Sequence, residues 1–116
     1  MIKAEAGDVG VTGSCHCGAV TIRLSHAPTA ITHCNCSLCR RYGALWTYAP
    51  IAEVTVSAAK PDTSAWGGKN VDFHRCATCG VLTHWIPRNP RRLNMGVNAR
   101  LFDPQVIERA TIIRKD

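Results

Sequence analysis

Apolar and polar residues alternate along most of this chain in short runs, which is the pattern of half-buried β-strands. The clearest case is residues 19–24, where valine, isoleucine and leucine are separated by threonine and arginine. Seven further runs are predicted to be extended: 30–33, 45–49, 54–57, 71–75, 81–86, 93–97 and 106–113. The pattern therefore predicts a mainly β fold in which the runs 71–75 and 81–86 form a hairpin.

The same pattern contains no long segment with a 3.6-residue period, so we expect only one or two helical turns. Residues 37–42 could form one short helix, with Ser37 as the candidate N-cap and Gly43 as its stop. Residues 61–69 contain two adjacent glycines and are predicted to form a surface loop, as are residues 87–92.

The length and the ends of the chain favour a single small domain inside the cell. The 116 residues are predicted to form one domain, and 46% of them are hydrophobic, which allows a modest core. The N-terminus has no apolar stretch of the kind found in export signals, and no segment is long and apolar enough to span a membrane. We therefore expect a cytoplasmic protein, in which thiols stay reduced.

The formal charge of +6 overstates how basic the protein is. Seven thiolates and two zinc ions would reduce the net charge to about +3. The basic residues are also spread along the sequence and are not accompanied by a recognised nucleic-acid-binding motif. We therefore do not expect nucleic acid as a partner.

Seven cysteines in three tight groups are the strongest chemical signal in the chain. The groups are Cys15 with Cys17, then Cys34, Cys36 and Cys39, then Cys76 with Cys79. An odd number cannot be used up by disulfides, and in a reducing compartment such clusters more often bind metal. Thiolates at these spacings can converge on one ion, so the pattern predicts zinc binding.

The spacing leaves two ways to share the metals. Cys36 and Cys39 could join the last pair, Cys76 and Cys79, in an ordinary zinc ribbon. Alternatively, the first and last pairs could close one four-ligand site and leave the middle three cysteines for a second metal. We favour the second arrangement because it uses all seven cysteines and leaves one coordination position open, as catalytic zinc sites do.

Three ordered motifs resemble a known family. They are Gly-Ser-Cys-His-Cys-Gly-Ala-Val at 13–20, His-Cys-Asn-Cys-Ser-Leu-Cys-Arg-Arg at 33–41 and Cys-Ala-Thr-Cys-Gly at 76–80. Over about residues 13–103 the chain resembles the glutathione-dependent formaldehyde-activating enzymes, a family that also includes centromere protein V. The resemblance implies a β-tent fold with two zinc ions. It assigns the structural zinc to Cys15, Cys17, Cys76 and Cys79, and the catalytic zinc to Cys34, Cys36 and Cys39.

The same resemblance implies an enzyme, a carbon–sulfur lyase that acts on the adduct of a thiol and an aldehyde. Cys34, Cys36 and Cys39 would be its catalytic residues. Only 37 residues follow Cys79, fewer than in the glutathione-binding members of the family. Glutathione and another small thiol therefore both remain open as the substrate.

Several residues beside the cysteines are candidates for contacts with the substrate. Arg40 and Arg41 could hold a substrate carboxylate or could simply form a solvated helical face. Trp46 and Tyr48 share one face of a strand that follows the open site and could line a pocket. The remaining candidates, for ligand, proton-transfer, pocket or structural roles, are His16, His33, His74, His84, Tyr42, Trp66, Trp85, Asn98 and Asp103.

Two other functions compete with the lyase. A non-enzymatic zinc module would bind a protein or nucleic acid through its surface, and its three-cysteine site would be capped by a protein side chain. A thiol or metal sensor would show oxidation or metal loss confined to Cys34, Cys36 and Cys39. The sequence gives no indication of the oligomeric state.

Overall fold

The computed structural model describes residues 10–58, 61–65 and 70–115, and within them it confirms a mainly β fold. Its strands are β1 Val11–Ser14, β2 Val20–Leu24, β3 Ala30–Cys34, β4 Trp46–Pro50, β5 Val54–Ala58, β6 Pro61–Ala65, β7 Val71–Cys76, β8 Leu82–Pro87, β9 Asn94–Asn98 and β10 Thr111–Lys115. Its helices are α1 Ser37–Tyr42 and α2 Pro104–Glu108, with single 3₁₀ turns at Ile51–Glu53 and Ala99–Leu101.

The strands form a small and a large sheet. The small sheet has the order β1-β2-β5 and is antiparallel. The large sheet has the order β10-β3-β4-β9-β8-β7-β6, and within it only the pair β10–β3 is parallel. This pair sets Lys115 beside Cys34, so the end of β10 lies next to the middle cysteine group.

The main core joins the two sheets. On the side of the small sheet, the core includes alternate residues of β2, namely Val20, Ile22 and Leu24. On the side of the large sheet, it includes residues of β3, β9 and the segment after β9: Ile31, Met95, Val97, Ala99 and Phe102. A second buried cluster consists of Cys39, Ala44, Trp46 and Leu82 and involves α1. The middle cysteine group is therefore built onto the large sheet rather than into the main core.

Helix α1 has the predicted extent, but its N-cap differs from the prediction. Gly43 ends the helix in the left-handed region, with φ of 67°, as expected of a C-terminal glycine. The N-cap is Cys36 and not Ser37, because the Cys36 Sγ accepts the peptide N–H of Cys39 at 3.3 Å. The Cys36 side chain thus caps the helix and is also one of the three cysteines of the middle group.

Two predicted segments are corrected. Residues 61–65, expected in a loop, form the edge strand β6, with Pro61 at its first position, where a missing N–H costs least. The rest of that predicted loop, residues 66–69, lies outside the described residues. Residues 106–113, expected to be one strand, are divided between α2, which starts at Pro104, and β10, which begins only at Thr111. Strand β1 was not predicted.

Asn98 is a buried structural tether. Its amide NH₂ donates to the Leu82 carbonyl at 2.8 Å, and its Oδ1 accepts the peptide N–H groups of Leu45 and Arg100. These bonds connect the start of β4 with β8 and the 3₁₀ turn after β9. Asp103, the other candidate near it, is exposed and forms no side-chain cap for α2. No helix that the structure describes is long and apolar enough to cross a membrane.

His74 and His84 form a stacked pair across β7 and β8. Their ring centroids are 4.3 Å apart and their planes differ by 18°. The Thr83 hydroxyl donates to the His74 carbonyl at 3.0 Å, so its oxygen must accept the Nδ1–H of His84 at 2.8 Å. Burial, followed by the neighbouring His74, lowers the pKa of His84 to about 4. The pair is therefore neutral and structural at physiological pH.

We expect acid to destabilise the protein through His84. Its pKa of about 4 when folded lies below the value of about 6.5 for an unfolded chain, so the unfolded state binds more protons between these limits. The free energy of unfolding should fall by up to about 3 kcal/mol as the pH drops through this interval.

Urea unfolding of metal-loaded protein at several pH values would measure this fall. His84→Leu should show a flatter dependence on pH. Metal loss in acid affects both proteins, so the difference between their slopes isolates the histidine. Equal slopes would contradict this assignment.

Candidate metal centres

The first cysteine pair lies in a tight turn between β1 and β2. The peptide N–H of Cys15 donates to the Val20 carbonyl at 3.0 Å, and the N–H of Gly18 donates back to the Cys15 carbonyl at 3.2 Å. Gly18 has φ of 83°, a conformation that glycine adopts without steric cost. The turn leaves Cys15 buried and Cys17 exposed.

The last cysteine pair lies in a similar turn at the tip of the β7–β8 hairpin. The N–H of Cys76 donates to the Val81 carbonyl at 3.0 Å, and the N–H of Gly80 donates to the Cys76 carbonyl at 2.8 Å. Gly80 has φ of 79°. In both turns the cysteine N–H donates to the carbonyl five residues later, whereas the glycine N–H donates back over three residues in the first turn and over four in the second.

These turns bring four sulfur atoms together, and we call Cys15, Cys17, Cys76 and Cys79 the four-cysteine group. All four sulfurs lie within 4.8 Å of one another, with 3.7 Å from Cys15 to Cys17 and 3.6 Å from Cys17 to Cys76. A tetrahedron with Zn–S bonds of about 2.3 Å has edges of about 3.8 Å, whereas a disulfide bond is about 2.05 Å long. The spacing therefore fits one tetrahedral metal ion, and such an ion would link the two sheets.

Peptide N–H groups prepare part of the four-cysteine group to be thiolate. The N–H of Val81 is the main cause that lowers the pKa of Cys79 to about 6. The N–H of Cys79 lies 3.4 Å from the Cys76 Sγ and lowers the pKa of that thiol too. Because a metal binds the thiolate form, these bonds reduce the cost of releasing protons on metal binding.

Cys34, Cys36 and Cys39 form a second cluster, which we call the three-cysteine group. Cys34 ends β3, Cys36 caps α1 and Cys39 lies in the first turn of that helix. Their sulfurs also lie within 4.8 Å of one another. No other histidine, cysteine, aspartate or glutamate of the described residues joins them, so the described part of the chain supplies three ligands here, one fewer than a closed zinc site has.

Trp46 fixes the buried member of the three-cysteine group. Its indole Nε1–H donates to the Cys39 Sγ at 3.3 Å, where both side chains are buried. Burial raises the pKa of Cys39 to about 12, whereas the peptide N–H of Cys39 lowers the pKa of Cys36. Burial therefore favours the protonated form of Cys39 without a metal, and a metal ion that binds there would displace this proton.

The three-cysteine group opens onto a cleft of about 770 Å³. The cleft is lined by Cys34, Cys36, Cys39, Trp46, Tyr48, Asn70, Val71, Trp85, Arg92, Leu93, Asn94 and Lys115. Three aromatic side chains, Trp46, Tyr48 and Trp85, form one part of the lining, which we call the aromatic wall. The lining also contains two asparagines and the cationic side chains of Arg92 and Lys115. Leu93 is 73% exposed at this cleft and is the most exposed large apolar side chain that the structure describes. This mixture suits a small organic ligand with a polar end.

The aromatic wall depends on Gly96. Tyr48 and Trp85 lie on adjoining parts of the large sheet, with ring centroids 5.9 Å apart. Trp85 lies directly over Gly96, where its Cδ1 would be 2.7 Å from an added Cβ and its Nε1 closer still. Any side chain at this position would displace the indole from the cleft.

The structure places only some of the predicted contact residues in the cleft. Trp46, Tyr48 and Trp85 line it. Arg40 and Arg41 are exposed on α1 and do not line the cleft, which agrees with the alternative that they form a solvated face of the helix.

The other candidates lie elsewhere. His16 and His33 join neither cysteine group. Tyr42 is 40% exposed and does not line the cleft. Trp66 lies outside the described residues.

Sequence reasoning missed the polar side of the cleft. Lys115 reaches it because β10 runs parallel to β3, a pairing between residues 81 positions apart that no local pattern signals. Asn70, Arg92 and Asn94 come from the ends of strands and the loop after β8. Exposed residues at strand ends carry no periodic signal, so only the folded arrangement identifies them.

Comparison with known proteins gives the relationship of the chain. The family model for glutathione-dependent formaldehyde-activating enzymes matches residues 10–112. The chain is also similar to a protein of Rhodobacter sphaeroides with a known crystal structure, at 31% sequence identity and a TM-score of 0.69. That match covers 87% of this chain and 98% of the other. The chain therefore belongs to the glutathione-dependent formaldehyde-activating enzyme family.

Proposed function

We propose that this protein is a zinc-dependent carbon–sulfur lyase that makes and breaks the adduct of a small thiol with an aldehyde. The observation that carries the proposal is the three-cysteine group, whose open direction faces a cleft large enough for a small organic molecule. Membership of a formaldehyde-activating family supports the same reaction class. The thiol is glutathione or another small thiol, and the setting is the cytoplasm, where thiols stay reduced.

In this proposal each cysteine group holds one zinc ion. Cys15, Cys17, Cys76 and Cys79 would hold a structural ion, since four protein ligands leave no position for substrate. Cys34, Cys36 and Cys39 would hold the catalytic ion. When bound there, zinc would supply a Lewis acid that lowers the pKa of an incoming thiol and stabilises the same sulfur as a leaving group.

The side chains around the three-cysteine group would position the reactants. Trp46 and Trp85 supply apolar surface that excludes water from one side of the cleft. Burial raises the pKa of Tyr48, so its hydroxyl stays protonated at neutral pH and can donate a hydrogen bond to the aldehyde oxygen. Lys115 adds a positive charge to the cleft that the three cysteines line.

The proposed reaction conserves atoms and electrons without an external oxidant or reductant. In the synthetic direction the thiol sulfur bonds to the carbonyl carbon, and the thiol proton ends on the carbonyl oxygen. With formaldehyde the product is an S-hydroxymethyl thiol, which is a hemithioacetal. In the reverse direction the carbon–sulfur bond breaks, the hydroxyl loses its proton and the sulfur regains one.

Metal analysis and cobalt substitution test this proposal. We expect two zinc ions per chain in protein purified without chelator, because the cysteines form one closed and one open set. In cobalt-substituted protein an added thiol should change the visible spectrum, since a ligand that enters an open position alters the coordination of the metal. Cys36→Ser protein, which retains the four-cysteine group, is the control and should show no such change.

Other results would favour the competing functions. One zinc or fewer, with all cysteines confirmed as reduced, would contradict the two-site model. A cobalt spectrum that no thiol perturbs, together with a protein side chain as the fourth ligand, would favour a binding module. Oxidation or metal loss confined to the three-cysteine group, without catalysis, would favour a sensor.

A further inference from the structure

A second cavity lies next to the cleft. It has a volume of about 440 Å³ and is lined by Asn70, Arg88, Asn89 and Arg92, which together we call the arginine pocket. Asn70 and Arg92 line the cleft as well. The two cavities therefore share a boundary, and a molecule whose sulfur lies at the three-cysteine group could extend past the aromatic wall into the arginine pocket.

Backbone hydrogen bonds hold the arginine pocket in shape. The peptide N–H of Arg88 donates to the Asn70 carbonyl at 2.9 Å, which ties the loop after β8 to the start of β7. Within the loop, the N–H of Arg92 donates to the Asn89 carbonyl at 3.0 Å, and the N–H of Arg91 donates to the Asn89 Oδ1 at 2.9 Å. Both arginines therefore emerge from a turn with a defined conformation.

The charges of the arginine pocket are not balanced. The Arg88 Nε donates to Asp72 Oδ1 at 2.9 Å, so one carboxylate already accompanies this guanidinium. Within the part of the chain that the structure describes, no carboxylate forms an ion pair with Arg92. One positive charge is thus left at the boundary with the cleft, where Asn70 also lines both cavities. Such a set of donors fits a carboxylate or a phosphate.

We propose that the thiol substrate carries an anionic group remote from its sulfur, and that Arg92 binds this group at the mouth of the arginine pocket. The inference rests on the proposed function, because it takes the sulfur to lie at Cys34, Cys36 and Cys39. Arg92 is then the residue that selects anionic over neutral thiols. A carboxylate and a phosphate share the chemistry that the guanidinium recognises, and the test distinguishes them.

Two matched pairs of thiols test the inference by calorimetric titration of zinc-loaded protein. One pair is glutathione and its glycyl monoethyl ester, which has no net charge at neutral pH, and the other is 4′-phosphopantetheine and pantetheine. We expect the anionic member of at least one pair to bind roughly 10-fold or more tightly than its neutral partner, and the preference to weaken as salt increases. The pair that shows the preference identifies the anion.

Variants assign the preference to Arg92. Arg92→Gln should abolish the preference and leave the neutral thiols bound as in the wild type, whereas Arg92→Lys should retain part of it. Arg91→Gln is the matched control, because Arg91 is the adjacent arginine and lines neither cavity. It should bind every thiol as the wild type does. Metal content and circular dichroism confirm that each variant is folded.

The outcomes separate this inference from the proposed function. If thiols change the cobalt spectrum but bind without regard to charge, the inference fails and the lyase proposal stands. It also fails if the preference survives in Arg92→Gln or disappears equally in Arg91→Gln. If no thiol changes the cobalt spectrum, both proposals fail together.

Discussion

Cys76→Ser should remove most of the stability of the protein, whereas Cys36→Ser should leave it folded. A metal in the four-cysteine group would join the β1–β2 turn of the small sheet to the tip of the β7–β8 hairpin in the large sheet. These segments are about 60 residues apart in sequence, so the metal would close a long loop. The three-cysteine group spans only residues 34–39, and a metal there ties nothing distant together.

The two substitutions affect the same kind of local hydrogen bond. In the folded protein each sulfur accepts a peptide N–H three residues later, Cys36 from Cys39 and Cys76 from Cys79. Serine can accept the same bond, and at Cys36 it is also a favoured N-cap. Cys76 is buried whereas Cys36 is exposed, so Cys76→Ser adds the cost of a buried hydroxyl, about 1–3 kcal/mol, to the loss of the metal.

The expected loss is large. Structural zinc in small domains contributes about 10–16 kcal/mol, so losing even about 5 kcal/mol through Cys76→Ser would lower the melting temperature by roughly 20 °C. Thermal unfolding monitored by circular dichroism, with the zinc content of each variant, would measure this. Cys36→Ser should retain one zinc and a melting temperature near that of the wild type. The opposite result, with only Cys36→Ser unfolded, would reverse the roles of the two groups.

Much of the fold could be predicted because its strands alternate clearly. Residues 19–24 and the 71–75 and 81–86 hairpin show local periodicity and end at turns that require glycine, and β2, β7 and β8 lie within one residue of those bounds. Residues 106–113 show why the method fails elsewhere. Their apolar residues fit a strand, but Pro104 lies at the first position of a helix, where proline is favoured, and α2 begins there. Pro61, the first residue of the predicted loop, is also allowed at the start of an edge strand.

In the candidate site too, one part could be predicted from the sequence and another part could not. Its cysteines could be found because thiolates at short spacings have few other uses in a reduced protein. The prediction that the first and last cysteine pairs share one site followed from a single assumption, namely that one metal site is closed and the other is open. Arg40 and Arg41 are close to the cysteines in sequence but do not line the cleft, whereas Arg92 and Lys115, which are distant in sequence, do. Long-range strand order decides such contacts, and one sequence does not reveal it.

Cys39→Ser should abolish thiol–aldehyde exchange while the protein stays folded. The Cys39 Sγ is the buried ligand of the three-cysteine group and accepts the Trp46 Nε1–H at 3.3 Å. Serine can keep that hydrogen bond, but its hydroxyl is a poor replacement for a thiolate as a zinc ligand. Even residues that only orient a metal ligand typically contribute 10–100-fold to activity, so we expect a loss of about 100-fold or more.

The measurement must distinguish catalysis from a fast background reaction. Addition of thiols to formaldehyde is already quick, so the quantity to measure is the rate of exchange between free and S-hydroxymethyl thiol, by nuclear magnetic resonance at equilibrium. Zinc-free protein gives the uncatalysed rate. Ser37→Ala is the matched control, since Ser37 lies between the ligands on α1, is exposed and does not line the cleft. It should exchange at the wild-type rate.

The result also decides between the functions proposed for this family member. If wild-type protein accelerates exchange and Cys39→Ser does not, while both retain a folded spectrum and the four-cysteine zinc, the reaction takes place at the three-cysteine group. Exchange that persists in folded Cys39→Ser would place the reaction elsewhere and remove the catalytic role of this group. If wild-type protein does not accelerate exchange for any thiol tested, the three-cysteine group is not a lyase site, and a role in binding or sensing takes its place.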